Sequence, residues 1–264
     1  MRRVIETIEV DENMVRSRSI QKYDLDEDGK LRIIQSLDII TEELPYELNE
    51  ELKLLRTNLQ FLGTDKRVIA MTSAFSGEGK STIWFDLAVS LTELGKSVLF
   101  IDCDLRKSQL LERVKGFEPS HGLSHFLSGQ CYLEDCLFST NVENMYMIFS
   151  GSIPPNPSEL LSTQAMKDLI EIARKNFDYV LLDCPPVGMV VDAAVIGQEC
   201  DGSMIIIESG EVKYRLAQEV VSKMKATGKP VLGVVLNKVD RHKSGKYYGR
   251  YYGRYYGKKY KGYY

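Results

Sequence analysis

Residues 67–82 read RVIAMTSAFSGEGKST. The run begins with β-branched and apolar residues at strand length and ends by opening a helical pattern, with Gly77 and Gly79 in the turn between. Glycine allows a turn to aim its backbone N–H groups at an anion, and the N-terminus of the following helix adds a partial positive charge. Lys80 stands where an ammonium group reaches the β- and γ-phosphates of a nucleotide, and Ser81 offers a hydroxyl to Mg²⁺. Ser76, Gly77, Glu78, Gly79, Lys80, Ser81 and Thr82 are thus the candidate nucleotide-phosphate cradle. The strict spacing places glycine six residues before the lysine, where this chain has Ala74. A plain glycine-rich turn is the alternative, and the Gly-x-Gly-Lys-Ser-Thr run between strand and helix argues against it.

Outward from this turn, further strands read at 97–104, 145–151, 178–185, 203–209 and 230–237, with helical stretches between most of them. Near-continuous apolar strands followed by helices predict an α/β fold with a doubly wound, mostly parallel sheet covered on both faces. Ligands in such sheets sit beyond the carboxyl ends of the strands. Two acidic strand ends fall there. In VLFIDCDLRKS, Asp102 and Asp104 leave a strand on one face, because strand side chains alternate, and Arg106 follows. In VLLDCPP, Asp183 ends another strand. One phosphate cradle and two acidic strand ends make a Mg²⁺-nucleotide site. Any one acidic end could be a helix cap; three converging motifs argue for the site.

Composition sets the frame. The chain has 264 residues, 44% apolar and 27% charged, which suits one globular α/β domain with appendages. No apolar run approaches the ~18 residues of a membrane span, and the start, MRRVIETIEVDENM, lacks the apolar stretch of a signal peptide. Five cysteines in no metal spacing read as reduced thiols. The net charge of −3 hides an asymmetry: residues 241–264 hold eight Lys/Arg and no acid, leaving 26 basic against 37 acidic residues before them. Residues 246–264, KYYGRYYGRYYGKKYKGYY, contain nine tyrosines. Their four-residue repeat supports neither strand alternation nor a helix face, so 241–264 reads as a disordered tail. Residues 1–45 read as a polar extension and 46–240 as the folded domain.

These motifs resemble the bacterial tyrosine kinases (BY-kinases) of capsule and exopolysaccharide production, which are relatives of Min-type and partition ATPases and not of eukaryotic kinases. The resemblance covers roughly 47–264. It rests on the Ala-started Ser-Gly-Glu-Gly-Lys-Ser-Thr loop, the Asp-x-Asp-x-Arg and Asp-x-Pro strand ends, GSIPPNPSELL at 151–161 and the tyrosine-rich end. Min-type and partition ATPases carry a second lysine where this chain has Phe75. The resemblance implies a phosphate-loop NTPase fold of that class and an ATP-dependent tyrosine autokinase. Lys80 would stabilise the transferring phosphoryl group. Ser81, Asp102 and Asp183 would serve Mg²⁺, and either Asp102 or Asp104 would take the phenol proton. Arg106 belongs to the same catalytic set, and Asn237, in NKVD at 237–240, would lie close to adenine. The phosphoacceptors would be Tyr247, Tyr248, Tyr251, Tyr252, Tyr255, Tyr256, Tyr260, Tyr263 and Tyr264. A regulatory partition-like ATPase and a non-catalytic nucleotide-binding scaffold are the alternatives. For the tail, binding to membrane or acidic polymer is the plainer reading.

The helical stretch ELNEELKLLRTNLQF (47–61) carries Leu48, Leu52, Leu55 and Leu59 on one stripe, with Glu50, Lys53 and Arg56 beside it. The family uses Glu-x-x-Arg-x-x-Arg here to join subunits in a ring, so these three are the candidate oligomer interface; Lys53 replaces the first arginine and loses its fork. Asp86, where the family often has asparagine, has no functional reading from sequence. The resemblance also implies a membrane-anchored activator, a cognate phosphatase, a cytoplasmic location at the inner membrane face through that activator, and no nucleic-acid partner. Asp24, Asp26, Asp28 and Gly29 imitate the start of a calcium loop, but Arg32 and Gln35 spoil its later positions, which leaves an acidic turn. His121, His125 and His242 are too scattered to suggest a metal, and GLSHFLSG (122–129) reads as a short packed helix.

Overall fold

The structure is a computed structural model and describes residues 30–116 and 119–240. The calcium-like stretch at 24–29, His242 and the tyrosine cluster lie outside the described residues. Nine strands form one sheet: β1 (Gln35–Ile39), β2 (Val68–Ser73), β3 (Val98–Asp102), β4 (Val114–Lys115), β5 (Phe138–Thr140), β6 (Met145–Ile148), β7 (Tyr179–Asp183), β8 (Gly202–Glu208) and β9 (Val231–Asn237). Their order is β4-β1-β5-β6-β3-β7-β2-β8-β9. From β6 to β9 neighbours pair in parallel, while β5 runs antiparallel to β6, and β4 antiparallel to β1.

The buried strands show why the sheet is covered on both sides. Along β2, Val68 and Ala70 face one core while Ile69 and Met71 face the other. Along β3, Leu99 and Ile101 alternate in the same way with Val98 and Phe100. This is the period-2 pattern of a strand buried on both faces. One core is closed by α1 (Tyr46–Phe61) and α2 (Lys80–Thr92), which bring in Leu52, Leu59, Trp84, Leu87 and Leu91. The other is closed by α3 (Leu123–Leu127), α5 (Gln164–Asn176), α6 (Asp192–Gly197) and α7 (Tyr214–Lys225), through residues such as Phe126, Leu169, Ile196 and Met224. The short α4 (Pro157–Leu161) opens with proline in the first turn, where its missing N–H costs nothing.

The folded unit begins earlier than residue 46. β1 pairs in parallel with β5 through Gln35↔Phe138 to Leu37↔Thr140 and buries Leu37 and Ile39 in the α1/α2 core. The Asn141 side chain bonds the backbone of Ile39 at both N–H (2.8 Å) and C=O (3.2 Å). Within the stretch read as an extension, residues 35–39 are therefore a strand of the sheet. The SLDII run is too short to rank as an element by periodicity alone, and its β partner lies ~100 residues away. Ile39→Ala should lower the unfolding free energy by about 2–4 kcal/mol in urea titration. An unchanged midpoint would return this segment to the status of an appendage.

Candidate active site

The phosphate loop follows β2, and its glycines are required by geometry. Gly77 and Gly79 sit at φ 88° and 82°, in the left-handed region that side chains rarely adopt. A Cβ on Gly79 would also lie 2.3 Å from Asn237 Nδ2. That amide donates to the Glu78 carbonyl at 2.7 Å, and Lys238 Nζ donates to the Gly77 carbonyl at 2.8 Å while pairing with Glu208. Two consecutive residues at the end of β9 thus hold the outside of the loop. The Glu78 side chain is buried and accepts N–H groups from Phe75 (2.8 Å) and Glu208 (3.1 Å). Its carboxylate shapes the loop, and the cradle itself is left to backbone N–H groups. Ala74 is fully buried where the strict pattern has glycine, and a Cβ on Gly188 would approach its carbonyl oxygen to 2.0 Å. The glycine that permits close approach here is therefore Gly188, on the loop after β7. Thr72 fastens that loop by donating to the Pro185 carbonyl (2.8 Å) and accepting from the Val187 N–H (2.9 Å).

Behind the loop stand two buried carboxylates. Asp102 and Asp183 are register partners on β3 and β7, so parallel pairing brings their side chains to one place. Lys80 Nζ, the first side chain of α2, makes an ion pair with Asp183 and bonds Ser81 Oγ at 3.1 Å. Burial works against the Lys80 charge, but the Asp183 carboxylate outweighs it and holds the ammonium above its usual range. Asp102 takes hydrogen bonds from the Asp104 N–H (3.1 Å), the Ser108 hydroxyl and the Ser150 N–H (3.3 Å). Burial, reinforced by the negative charge of Asp183, pushes it up to about 7. Two carboxylates facing one lysine leave room for more positive charge, and with Ser81 they form an all-oxygen donor set that fits Mg²⁺.

The structure places Asp104, Arg106 and Arg56 in local contacts that the sequence patterns do not show. β3 ends at Asp102, so Asp104 is not its same-face strand neighbour; it lies on the turn beyond, half-buried, with Oδ1 accepting the N–H groups of Arg106 (3.2 Å) and Lys107 (3.0 Å). Arg106 forks onto Asp192, Nε to Oδ2 at 2.7 Å and Nη2 to Oδ1 at 3.1 Å, and reaches Ser158 at 3.0 Å. Asp192 and Ser158 belong to α6 and α4, and sequence reasoning missed both, because nothing in their spacing links them to Arg106. On α1, Arg56 turns inward, with Nη1 bonded to the Ser90 carbonyl (2.5 Å), the Ser90 hydroxyl (3.0 Å) and Glu93 (2.9 Å). It joins α1 to α2 within the chain, while Glu50 and Lys53 pair with each other on the exposed side at 2.8 Å, and Leu48 leaves the apolar stripe for solvent. Asp86 also acquires a partner: it lies 3.9 Å from Arg113, whose guanidinium stacks over Phe85.

A glycine-bent phosphate loop at a strand–helix junction, with a lysine and two carboxylates at its back, defines a nucleotide-binding phosphate-loop NTPase. Residues 66–227 match the family described as AAA domain. The chain is 42% identical to tyrosine-protein kinase CpsD of Streptococcus pneumoniae over 78% of its own length and 91% of that protein. It is 36% identical to tyrosine-protein kinase YwqD of Bacillus subtilis over 80% and 91%. Among solved structures, the kinase domain of Escherichia coli tyrosine kinase ETK superposes with a TM-score of 0.68 at 28% identity, over 82% of this chain and 92% of that one. The chain belongs to the AAA-domain family and, within it, to the bacterial tyrosine-protein kinases.

A carboxyl whose folded pKa is raised favours the protonated folded state. Its contribution to stability is present at low pH and is lost as pH rises from the unfolded value near 4 through about 7. The ligand-free protein should therefore lose about 2 kcal/mol from Asp102 between pH 5.5 and 8.5. Asp102→Asn, which resembles the protonated form, should flatten that part of the denaturant-measured profile. A profile unchanged by the substitution would show that Asp102 does not carry it.

Proposed function

We propose that this chain transfers the γ-phosphoryl group of ATP to tyrosines of its own C-terminal cluster, between subunits, and serves capsule or exopolysaccharide production. The observation that carries the proposal is the buried Lys80–Asp183–Asp102 group behind the phosphate loop, in a chain with nine tyrosines among residues 246–264. The phenol oxygen attacks the γ-phosphorus, the bond to the β–γ bridging oxygen breaks, and ADP leaves with that oxygen. Lys80 follows the charge that moves onto the phosphate oxygens, and the N–H groups of the loop and of the first turn of α2 hold the β-phosphate. Asp102 is fully buried with both oxygens engaged, whereas Asp104 is half-buried on the turn beyond. This favours Asp104 as acceptor of the phenol proton, with Asp102 held in a fixed position behind it. Ser81 and Asp183, backed by Asp102, would hold Mg²⁺, which neutralises charge on the β- and γ-phosphates. Arg106, committed to Asp192, acts as a strut for the Asp104 turn.

Transfer between subunits is supported by strand order. The tail follows β9, whose end is pinned to the phosphate loop by Asn237 and Lys238. Asp102 ends β3, four strands from β9 in the sheet order, with the phosphate loop after β2 between them. The same reading includes a membrane-anchored activator at the inner membrane face and an opposing phosphatase, which rest on family resemblance. No helix among the described residues is long and apolar enough to cross a membrane.

Lys80→Met should abolish phosphotyrosine in the tail, as mapped by mass spectrometry after incubation with Mg²⁺-ATP. Asp104→Asn should slow transfer by about 10²–10⁴-fold with nucleotide affinity kept. A chain with all nine tail tyrosines changed to phenylalanine, mixed with the Lys80→Met chain, should label the latter. Wild type that labels itself while this mixture stays unlabelled would place transfer within one chain. ATP hydrolysis with no phosphotyrosine would instead make the chain a regulatory ATPase.

A further inference from the structure

β9 is an edge of the sheet, and no strand among the described residues pairs with its outer side. Its sequence, VLGVVLN, is apolar or glycine at six of seven positions, yet none of the seven is fully buried, whereas six of the seven residues of the neighbouring β8 are. The Asn237 C=O accepts the Ser209 N–H at 2.9 Å, on the β8 side. Peptide groups alternate in direction along a strand, so those of Val234 and Leu236 point to the open side. Val234 and Leu236 are register partners of Ile205 and Ile207 and continue their face of the sheet. The two isoleucines are buried in the core that α7 closes, while Val234 is 53% and Leu236 45% exposed. Exposed edges are ordinarily blunted by a charge, a proline, a bulge or a short length. From Val231 to Leu236 there is no charge and no proline, and the one register shift, opposite Ser203/Met204, lies at the far end from Leu236. An open row of peptide groups beside a half-covered apolar face is a surface suited to accept another strand.

We propose that this edge takes residues 247–255 of the chain's own tail, added antiparallel to β9 as a further strand. The docking itself does not depend on the kinase reading. Connectivity sets the direction: a parallel neighbour needs a crossover of about a dozen residues or more, whereas residues 238–246 supply the reversal for an antiparallel one and keep the segment close to the edge. The repeat sets the fit. YYGR-YYGR-YYGK does not alternate apolar with polar residues, but its period of four is twice that of a strand. Extended against β9, Tyr247, Gly249, Tyr251, Gly253 and Tyr255 share one face, and Arg250 and Arg254 fall on the other with Tyr248 and Tyr252. The first face is free of charge from Gly245 to Gly257, bounded by Lys243 and Lys259. It can lie over Val234 and Leu236, because an aromatic ring beside a β-branched or apolar side chain is a favourable cross-strand pair, and the arginines are then kept off that ledge. A segment without a core of its own can order in this way on a strand that is already formed. One consequence does rest on the kinase reading: a phosphate on Tyr247, Tyr251 or Tyr255 brings a charge of about −1.5 to −2 onto the apolar ledge and releases the segment.

The test is amide hydrogen exchange on the full chain without nucleotide. The Val234 and Leu236 amides should be protected in wild type and exchange about tenfold faster, or more, when Gly249→Arg and Gly253→Arg put cations on the uncharged face. Arg250→Thr with Arg254→Thr, which takes cations from the other face, should leave them protected. Val234→Lys, at an exposed position outside the core, should speed trypsin cleavage after Arg250 by about tenfold. Equal exchange at Val234 and Leu236 in wild type and in the Gly249→Arg/Gly253→Arg chain overturns the docking, as does a cleavage rate that Val234→Lys leaves unchanged. Protection that falls on dilution also overturns it, since a second copy would then occupy the edge. Protection lost in the Arg250→Thr/Arg254→Thr chain overturns it too, because charge and not strand pairing would hold the tail. A chain carrying phosphotyrosine at 247, 251 and 255, made by peptide ligation, should exchange like the Gly249→Arg/Gly253→Arg chain. One that stays protected overturns the release by phosphate and leaves the docking in place.

Discussion

The ion pair between Lys80 and Asp183 ties the first residue of α2 to the last residue of β7, and the rest of the site is arranged around it. Both partners are almost wholly out of water. Removing two charges from water costs several kcal/mol per ion, and a buried pair often repays little more than that. Such a pair is weak evidence for stability and stronger evidence for a site that must hold charge ready. Asp102, a register partner of Asp183, adds a second buried carboxylate, whose proton affinity is raised first by burial and then by the Asp183 charge. The two carboxylates and the Ser81 hydroxyl form an oxygen donor set around Lys80 that fits a cation.

A site of this kind needs a stiff frame, because a misplacement of about 1 Å can cost ~10²-fold in rate. The frame here consists of polar groups fastening loops to strands. Glu78 spans Phe75 and Glu208, Asn237 and Lys238 hold the loop carbonyls, and Thr72 fixes the segment after β7. Asp192 gathers Arg106 and Ser158, so the turn carrying Asp104 is tied to α4 and α6. In each case a side chain satisfies loop groups that would otherwise lack partners, which is why these residues sit at or near the ends of elements.

The α1 helix shows how one motif can divide its labour. Glu50, Lys53 and Arg56 read as a unit because helical spacing places them on adjoining faces. Packing separates them: Arg56 is drawn under α2 by the Ser90 carbonyl at the helix end, while Glu50 and Lys53 remain at the surface. A guanidinium with three acceptors inside the chain contributes to the α1–α2 joint.

The sequence by itself determined the parallel α/β core and the position of the phosphate loop. Apolar runs buried on both faces and a glycine-rich turn before a lysine are local signals, carried by residues within one or two turns of each other. It also placed Asp102 and Asp183 at strand ends. Only the tertiary structure decided that the two face each other, since register between strands ~80 residues apart is set by the whole sheet. The same holds for β1, whose five residues become a strand only against β5 and β4, and for Arg106, whose partner Asp192 lies 86 residues away. Asp104 was misplaced by extending strand alternation one step past the point where the Asp102 carboxylate turns the chain. Periodicity reports which residues share a face within an element; which faces meet depends on long-range pairing and packing, which no local pattern encodes.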